Sequence, residues 1–149
     1  MRLPKQVLVI PFKIEDNEIK YCVFRRKDLG LWQFVAGGQE DYDESTVDAA
    51  RREFLEETGI NAKNIYELEG YTKIPVVNVV KDFLWGDDVY FSEEFAFAVK
   101  IDKEEIKLSN EHQEYKWHSY EDVKKLLKYD SNKSALWELD TKIKRGIIK

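Results

Sequence analysis

Residues 38–60 read GQEDYDESTVDAARREFLEETGI, and the rest of the chain is best understood outward from them. Val47, Ala50 and Phe54 recur at the spacing of one helical face, so the middle of the stretch predicts an amphipathic helix. Ser45 or Thr46 can accept from the first free backbone amides, and Gly59 stands where a left-handed C-terminal cap belongs. Just upstream, Leu31 to Ala36 is a short apolar run leading into Gly37-Gly38, where a turn is expected.

Towards the N-terminus, residues 6–14 (QVLVIPFKI) and 18–26 (EIKYCVFRR) are rich in β-formers and are separated by Glu15-Asp16-Asn17, which reads as a hairpin. Towards the C-terminus, strand-like stretches cover 64–79 and 89–101, parted by a turn at Trp85-Gly86-Asp87-Asp88, with a short one over 114–118. Helical patterns follow over 119–129, with Val123, Leu126 and Leu127 as the stripe, and over 133–145, with Leu136, Leu139 and Ile143. No linker, repeat or low-complexity tract interrupts this order. Strands, helix, strands and then helices predict an α+β fold, a mixed sheet flanked by helices, as one domain spanning 1–149.

Composition limits the function classes. With 24 Lys+Arg against 29 Asp+Glu the chain is net acidic, which argues against duplex nucleic acid and anionic membrane surfaces as partners. The longest apolar run, Val7 to Phe12, is far short of the ~20 residues of a membrane helix. Cys22 is the only cysteine, so neither an intrachain disulfide nor a cysteine metal cluster is available; a reduced, half-buried thiol in a cytoplasmic protein is expected.

Within the central helix, Glu53, Glu56 and Glu57 stand at i, i+3 and i+4, three carboxylates on one face with no lysine between them. A Glu-rich face is ordinarily a solvated surface, but hard oxygen donors gathered this way suit Mg²⁺ or Mn²⁺. Arg52, four residues before Glu56, can pair with it. Glu44 enters the helix, where negative charge is favoured, and would reach Arg52 if the loop folds back. Gly37-Gly38 allows close backbone approach, and a free carbonyl there would add an oxygen ligand.

The spacing from Gly38 through Glu44 to Arg52-Glu53-Phe54-Leu55-Glu56-Glu57-Thr58-Gly59-Ile60 fixes seven identities and two apolar sites, a chance match on the order of 10⁻⁷. It resembles the Nudix box, G-x5-E-x7-R-E-U-x-E-E-x-G-U with U apolar, at every position; Phe54 is bulkier than the usual aliphatic. The chain is therefore similar to the Nudix hydrolases, which cleave nucleoside diphosphates linked to another moiety. The resemblance implies their αβα sandwich, Mg²⁺ or Mn²⁺ as cofactor, a small nucleoside- or pterin-phosphate substrate, and a homodimer as a possible assembly. It implies Glu56 and Glu57 as metal ligands, Glu53 as ligand or base, the Gly38 carbonyl as a further ligand, and Arg52 with Glu44 as the supporting pair. A later acidic residue is implied too, either Glu111 or Glu114, with Glu111 preferred because His112 and Trp117 follow it in the pattern of several branches.

Arg26, in the Arg25-Arg26-Lys27 run, is a candidate phosphate contact, His112 a candidate phosphate or supporting contact, and Trp32 and Trp85 are candidates to stack on a base or pterin. Leu31-Trp-Gln-Phe-Val-Ala-Gly-Gly38, Glu111-His with Tyr115-Lys-Trp117, and Ser131-Asn-Lys-Ser-Ala135 resemble dihydroneopterin triphosphate and dATP pyrophosphohydrolases, with one extra residue between Trp32 and Gly38. Leu108-Ser with Glu111-His-Gln, Tyr115 and Trp117 resembles the asymmetric diadenosine tetraphosphate hydrolases equally, although the Pro-Lys that precedes their box glycine is missing. A Nudix-fold binding module without catalysis is the third reading, disfavoured because every acidic position of the box is kept.

Overall fold

The structure is a computed structural model describing residues 1–149. Its strands are β1 (Arg2–Glu15), β2 (Glu18–Arg26), β3 (Trp32–Gln33), β4 (Val35–Glu40), β5 (Asn64–Pro75), β6 (Phe91–Lys100) and β7 (His112–His118). Its helices are α1 (Thr46–Thr58), α2 (Tyr120–Leu126) and α3 (Asp130–Lys144). The β1–β2 hairpin turns at Asp16 and Asn17, both at positive φ, a conformation that Asn and Asp tolerate better than most residues.

β1 organises the sheet. One edge pairs in parallel with β6, which pairs in turn with β5. The other edge changes partner midway: Arg2 to Val9 face β4, and Phe12 to Glu15 face β2, which continues to β3 and β7. Residue alternation along β1 then divides the core. Leu8, Ile10 and Phe12 join Leu136, Leu139 and Val123 on the α2–α3 side, whereas Val7 and Val9 join Ala49, Ala50 and Phe54 of α1. A mixed sheet between one helix and two others is the α+β sandwich expected from the sequence. No helix is long and apolar enough to cross a membrane.

Several local expectations are corrected. Gly37-Gly38 is not the turn: both glycines lie inside β4, opposite Val7 and Gln6, and the chain turns after Glu40. The reason is space, because a Cβ on Gly37 would fall 2.0 Å from Glu53 Cδ and one on Gly38 2.3 Å from Arg2 Nε. The strand read as 64–79 stops at Pro75, where a short 3₁₀ turn, Val76–Asn78, takes over. α3 begins at Asp130, three residues early, and β7 at His112, two residues early. Cys22 is fully buried in β2 rather than half-buried, and burial pushes its thiol up.

Candidate active site

α1 starts where Ser45 Oγ accepts from the Asp48 amide at 3.2 Å, and ends where Gly59, at φ 74°, donates to the Leu55 carbonyl. Packing of Ala49, Ala50 and Phe54 against the sheet fixes the rotation of the helix, and with it the direction of the acidic face. Glu56 projects into solvent, Glu53 lies against the Gly37 backbone, and Glu57 is buried, its side chain 4% exposed. The solvated surface that a Glu-rich helix face ordinarily makes is therefore not the situation of Glu57.

Arg52 holds this face together. Its Nε and Nη2 donate to Asp43 Oδ1 and Oδ2 at 3.0 and 2.9 Å, Nη2 also donates to the Gly38 carbonyl at 2.9 Å, and Nη1 donates to Glu53 and Glu56 at 3.1 and 3.2 Å. The expected partner was Glu44. That residue is exposed instead, and Asp43, which also accepts from the Glu40 amide, takes its place. The Gly38 carbonyl, expected as a metal ligand, is engaged by Arg52.

The electrostatics record an excess of negative charge. Burial, followed by the neighbouring Glu56 charge, pushes Glu53 up to about 7 despite Arg52 beside it. Glu57 behaves differently. Burial raises it, but His112 and Ser109 outweigh that and keep it below the ordinary carboxylate range. Ser109 Oγ donates to Glu57 Oε2 at 2.6 Å, and His112 Nδ1 lies 2.9 Å from the same oxygen. Glu111 shares the cluster, pushed up by its own burial and by the Glu57 charge. Glu114 turns away to Arg25 across the β2–β7 pair, 3.5 Å off.

Hard carboxylate oxygens in surplus, with a buried acid made harder to ionise by its neighbours, suit a divalent cation better than bare solvent. As arranged, no three acidic or histidine side chains converge on one point, because Glu57 is turned to Ser109 and His112. A cation shared by Glu53, Glu56 and Glu57 therefore calls for side-chain rotation.

The remaining candidates divide. His112 is buried against Phe24 with ring centroids 5.3 Å apart, and belongs to the cluster. Arg26 is opposite His112 in the sheet but spends its guanidinium on Asp28 at 2.9 Å. Trp32 packs against the α2–α3 side of the core, beneath the Lys116 ammonium 5.0 Å from its ring centroid, on the far side of the sheet from α1. Trp85 donates its indole N–H to the Arg2 carbonyl at 2.7 Å, and Arg2 covers Gly38. Asp43, Ser109 and Arg2 were not singled out from sequence. Asp43 was visible only as one of several acids in the 40–44 loop.

The NUDIX domain family model matches residues 4–138. The chain is 30% identical over 127 residues to the asymmetrical bis(5'-nucleosyl)-tetraphosphatase of Rattus norvegicus, covering 85% of this chain and 82% of that one. Among solved structures, a NUDIX hydrolase from Listeria monocytogenes superposes with TM-score 0.88 at 37% identity, over 99% of both chains. The E. coli dihydroneopterin triphosphate pyrophosphohydrolase shares the fold, with TM-score 0.73 at 22% identity over 93% of this chain and 97% of that one. With its box complete and its acids gathered on α1, this chain belongs to the NUDIX family and is a Nudix hydrolase.

Proposed function

We propose that the protein is a Mg²⁺- or Mn²⁺-dependent pyrophosphohydrolase that cleaves a nucleoside triphosphate or dihydroneopterin triphosphate to the monophosphate and pyrophosphate. The observation that carries the reading is the Glu53, Glu56, Glu57 and Glu111 group, held by Arg52, Ser109 and His112 and neutralised by no lysine.

In this reading Glu56, Glu57 and Glu111 hold the cation, joined by Glu53 or, alternatively, leaving Glu53 as the base. A divalent cation held by these residues would neutralise phosphate oxygens and make the attacking water more acidic. Glu53, already a weaker acid than an ordinary carboxylic acid, is suited to take a proton from the attacking water near neutral pH. Arg52 fixes the orientation of Glu53 and Glu56, and Asp43 keeps Arg52 in place. Water adds to phosphorus, the P–O–P bridge breaks, and pyrophosphate departs with the bridging oxygen's electron pair. Arg26 would contact the outer phosphates after leaving Asp28. The single, fully buried Cys22 fits a cytoplasmic setting.

A second reading, an asymmetric dinucleoside tetraphosphate hydrolase giving ATP and AMP from diadenosine tetraphosphate, is favoured by the 30% identity to the rat enzyme. Incubation with dATP, dihydroneopterin triphosphate, diadenosine tetraphosphate and ADP-ribose separates them. Pyrophosphate from the triphosphates supports the first reading, and ATP plus AMP from the dinucleotide supports the second.

A further inference from the structure

A cavity of about 190 Å³ opens on the face of the sheet opposite α1. Leu8, Glu94 and Ala96 form its floor, Gly70 and Thr72 of β5 one side, and Ser131 at the start of α3 the other. At ~30 Å³ per water it holds about six waters, room for one bicyclic ring and not for a whole nucleotide.

It relates to the acidic face of α1 around the open edge of β4, which pairs only with β1 and carries the Gly38 carbonyl engaged by Arg52. Gly38, Gln6, Glu94 and Thr72 stand directly opposite one another on four consecutive strands, β4, β1, β6 and β5. At ~4.8 Å per strand, Glu94 and Gly38 are separated by roughly 10 Å of sheet. That is the distance over which a ribose and its first phosphates extend from a ring. Arg2, whose Nε is buried without a partner, covers Gly38 at the far end of this row.

The floor of the cavity is chemically unusual. Glu94 is 5% exposed, yet no lysine or arginine pairs with it. It accepts from Gln6 Nε2 at 2.7 Å, and burial still pushes its carboxyl above the usual range. Burying an acid this way is costly unless donors reach it, and Gln6 and Ser131 supply two on a group with room for about four. Its apolar neighbours Leu8 and Ala96 offer it no further partner, and it lines the cavity floor.

Resting on the triphosphate reading above, we infer that Glu94 determines specificity: its carboxylate receives a ring N–H and the adjacent exocyclic amine of a guanine or pterin ring seated in this cavity. Guanine and pterin both present that pair of donors side by side. Adenine presents a ring lone pair beside its amine, which places an acceptor against an acceptor. Inosine keeps the ring N–H and lacks the amine. Sites that hydrogen-bond a substrate N–H reject analogues lacking it strongly, because the buried group is then left unpaired.

The test compares kcat/KM at pH 8 with Mg²⁺ for GTP, ITP, ATP and dihydroneopterin triphosphate, in the parent and in Glu94→Gln, with metal-free calorimetric titration of GDP and ADP alongside. The expected order is GTP or the pterin above ITP above ATP, at least tenfold between the extremes, collapsing to within about twofold in Glu94→Gln. Where only the pterin is turned over, tighter binding of GDP than ADP by the parent upholds the inference and equal binding rejects it. Equal use of GTP and ATP by the parent, or an unchanged ratio in Glu94→Gln, overturns the inference. If no triphosphate is hydrolysed, the reaction reading fails, while tighter GDP than ADP binding still upholds Glu94, and equal binding rejects it. Should Glu94→Gln not fold, the parent's GDP-to-ADP ratio decides.

Discussion

Arg52 and Asp43 form a two-pronged ion pair, Nε to Oδ1 at 3.0 Å and Nη2 to Oδ2 at 2.9 Å, with the Asp43 side chain only 5% exposed. A planar guanidinium matched to a carboxylate is fixed in direction as well as strength. Arg52 alone contacts both Glu53 and Glu56, so the loop before α1 sets the geometry of the acidic face through this one pair.

Asp43→Asn is expected to cost about 2 kcal/mol of stability at pH 7, since it leaves a partly buried guanidinium with one good partner fewer. The pH dependence has a definite sign. Arg52 holds the Asp43 carboxyl below the ordinary range, so its stabilisation is complete above about pH 4 and is lost as pH falls through the folded value. Melting temperature against pH should therefore flatten below about pH 4 in the variant. An unchanged acid limb would show that the pair contributes nothing.

Gly37→Ala separates geometry from stability. The added Cβ would sit 2.0 Å from Glu53 Cδ, and Glu53 can swing away because it is the end of a flexible side chain. We expect a change in stability below about 1 kcal/mol together with a fall in kcat of about 100-fold. Equal turnover by parent and variant would remove Glu53 from the reaction.

Glu57→Gln is expected to lower turnover by at least about 100-fold while the fold survives, because the amide oxygen still accepts from Ser109. Steady-state kinetics with saturating Mg²⁺ and a melting curve check both halves. Parent-like activity would reject Glu57 as a ligand.

Trp32→Ala should behave as a packing variant, not a substrate-contact variant. Trp32 is half-buried against the α2–α3 core, so a loss of about 2 kcal/mol is expected, with KM within about twofold across substrates. A raised KM at unchanged melting temperature would restore it as a stacking residue.

α1 was legible because every position of its motif speaks at once: apolar spacing, cap residues and three acids on one face. The hairpin and the alternating core of β1 were equally clear, since period-two burial needs no tertiary information. The failures have a common cause in contacts between distant residues. Gly37-Gly38 reads as a turn in isolation and is extended because Glu53 and Arg2 occupy the space of its side chains. Asp43 and Glu44 carry the same charge one residue apart, and only the path of the loop selects between them. Trp32 lies near a glycine and reads as a stacking candidate, and only the pairing of β3 with Phe24 and Arg25 of β2 shows that it also packs against the core. Glu94 follows another glutamate, and only its register opposite Gln6 reveals which of the two is buried.

The most direct test is ³¹P NMR of GTP and of dihydroneopterin triphosphate incubated with protein stripped by EDTA, before and after Mg²⁺ is returned. The expected result is no reaction in the stripped sample, and stoichiometric pyrophosphate with monophosphate once Mg²⁺ is added. Hydrolysis that persists after exhaustive chelation, or release of inorganic phosphate in place of pyrophosphate, would contradict the account.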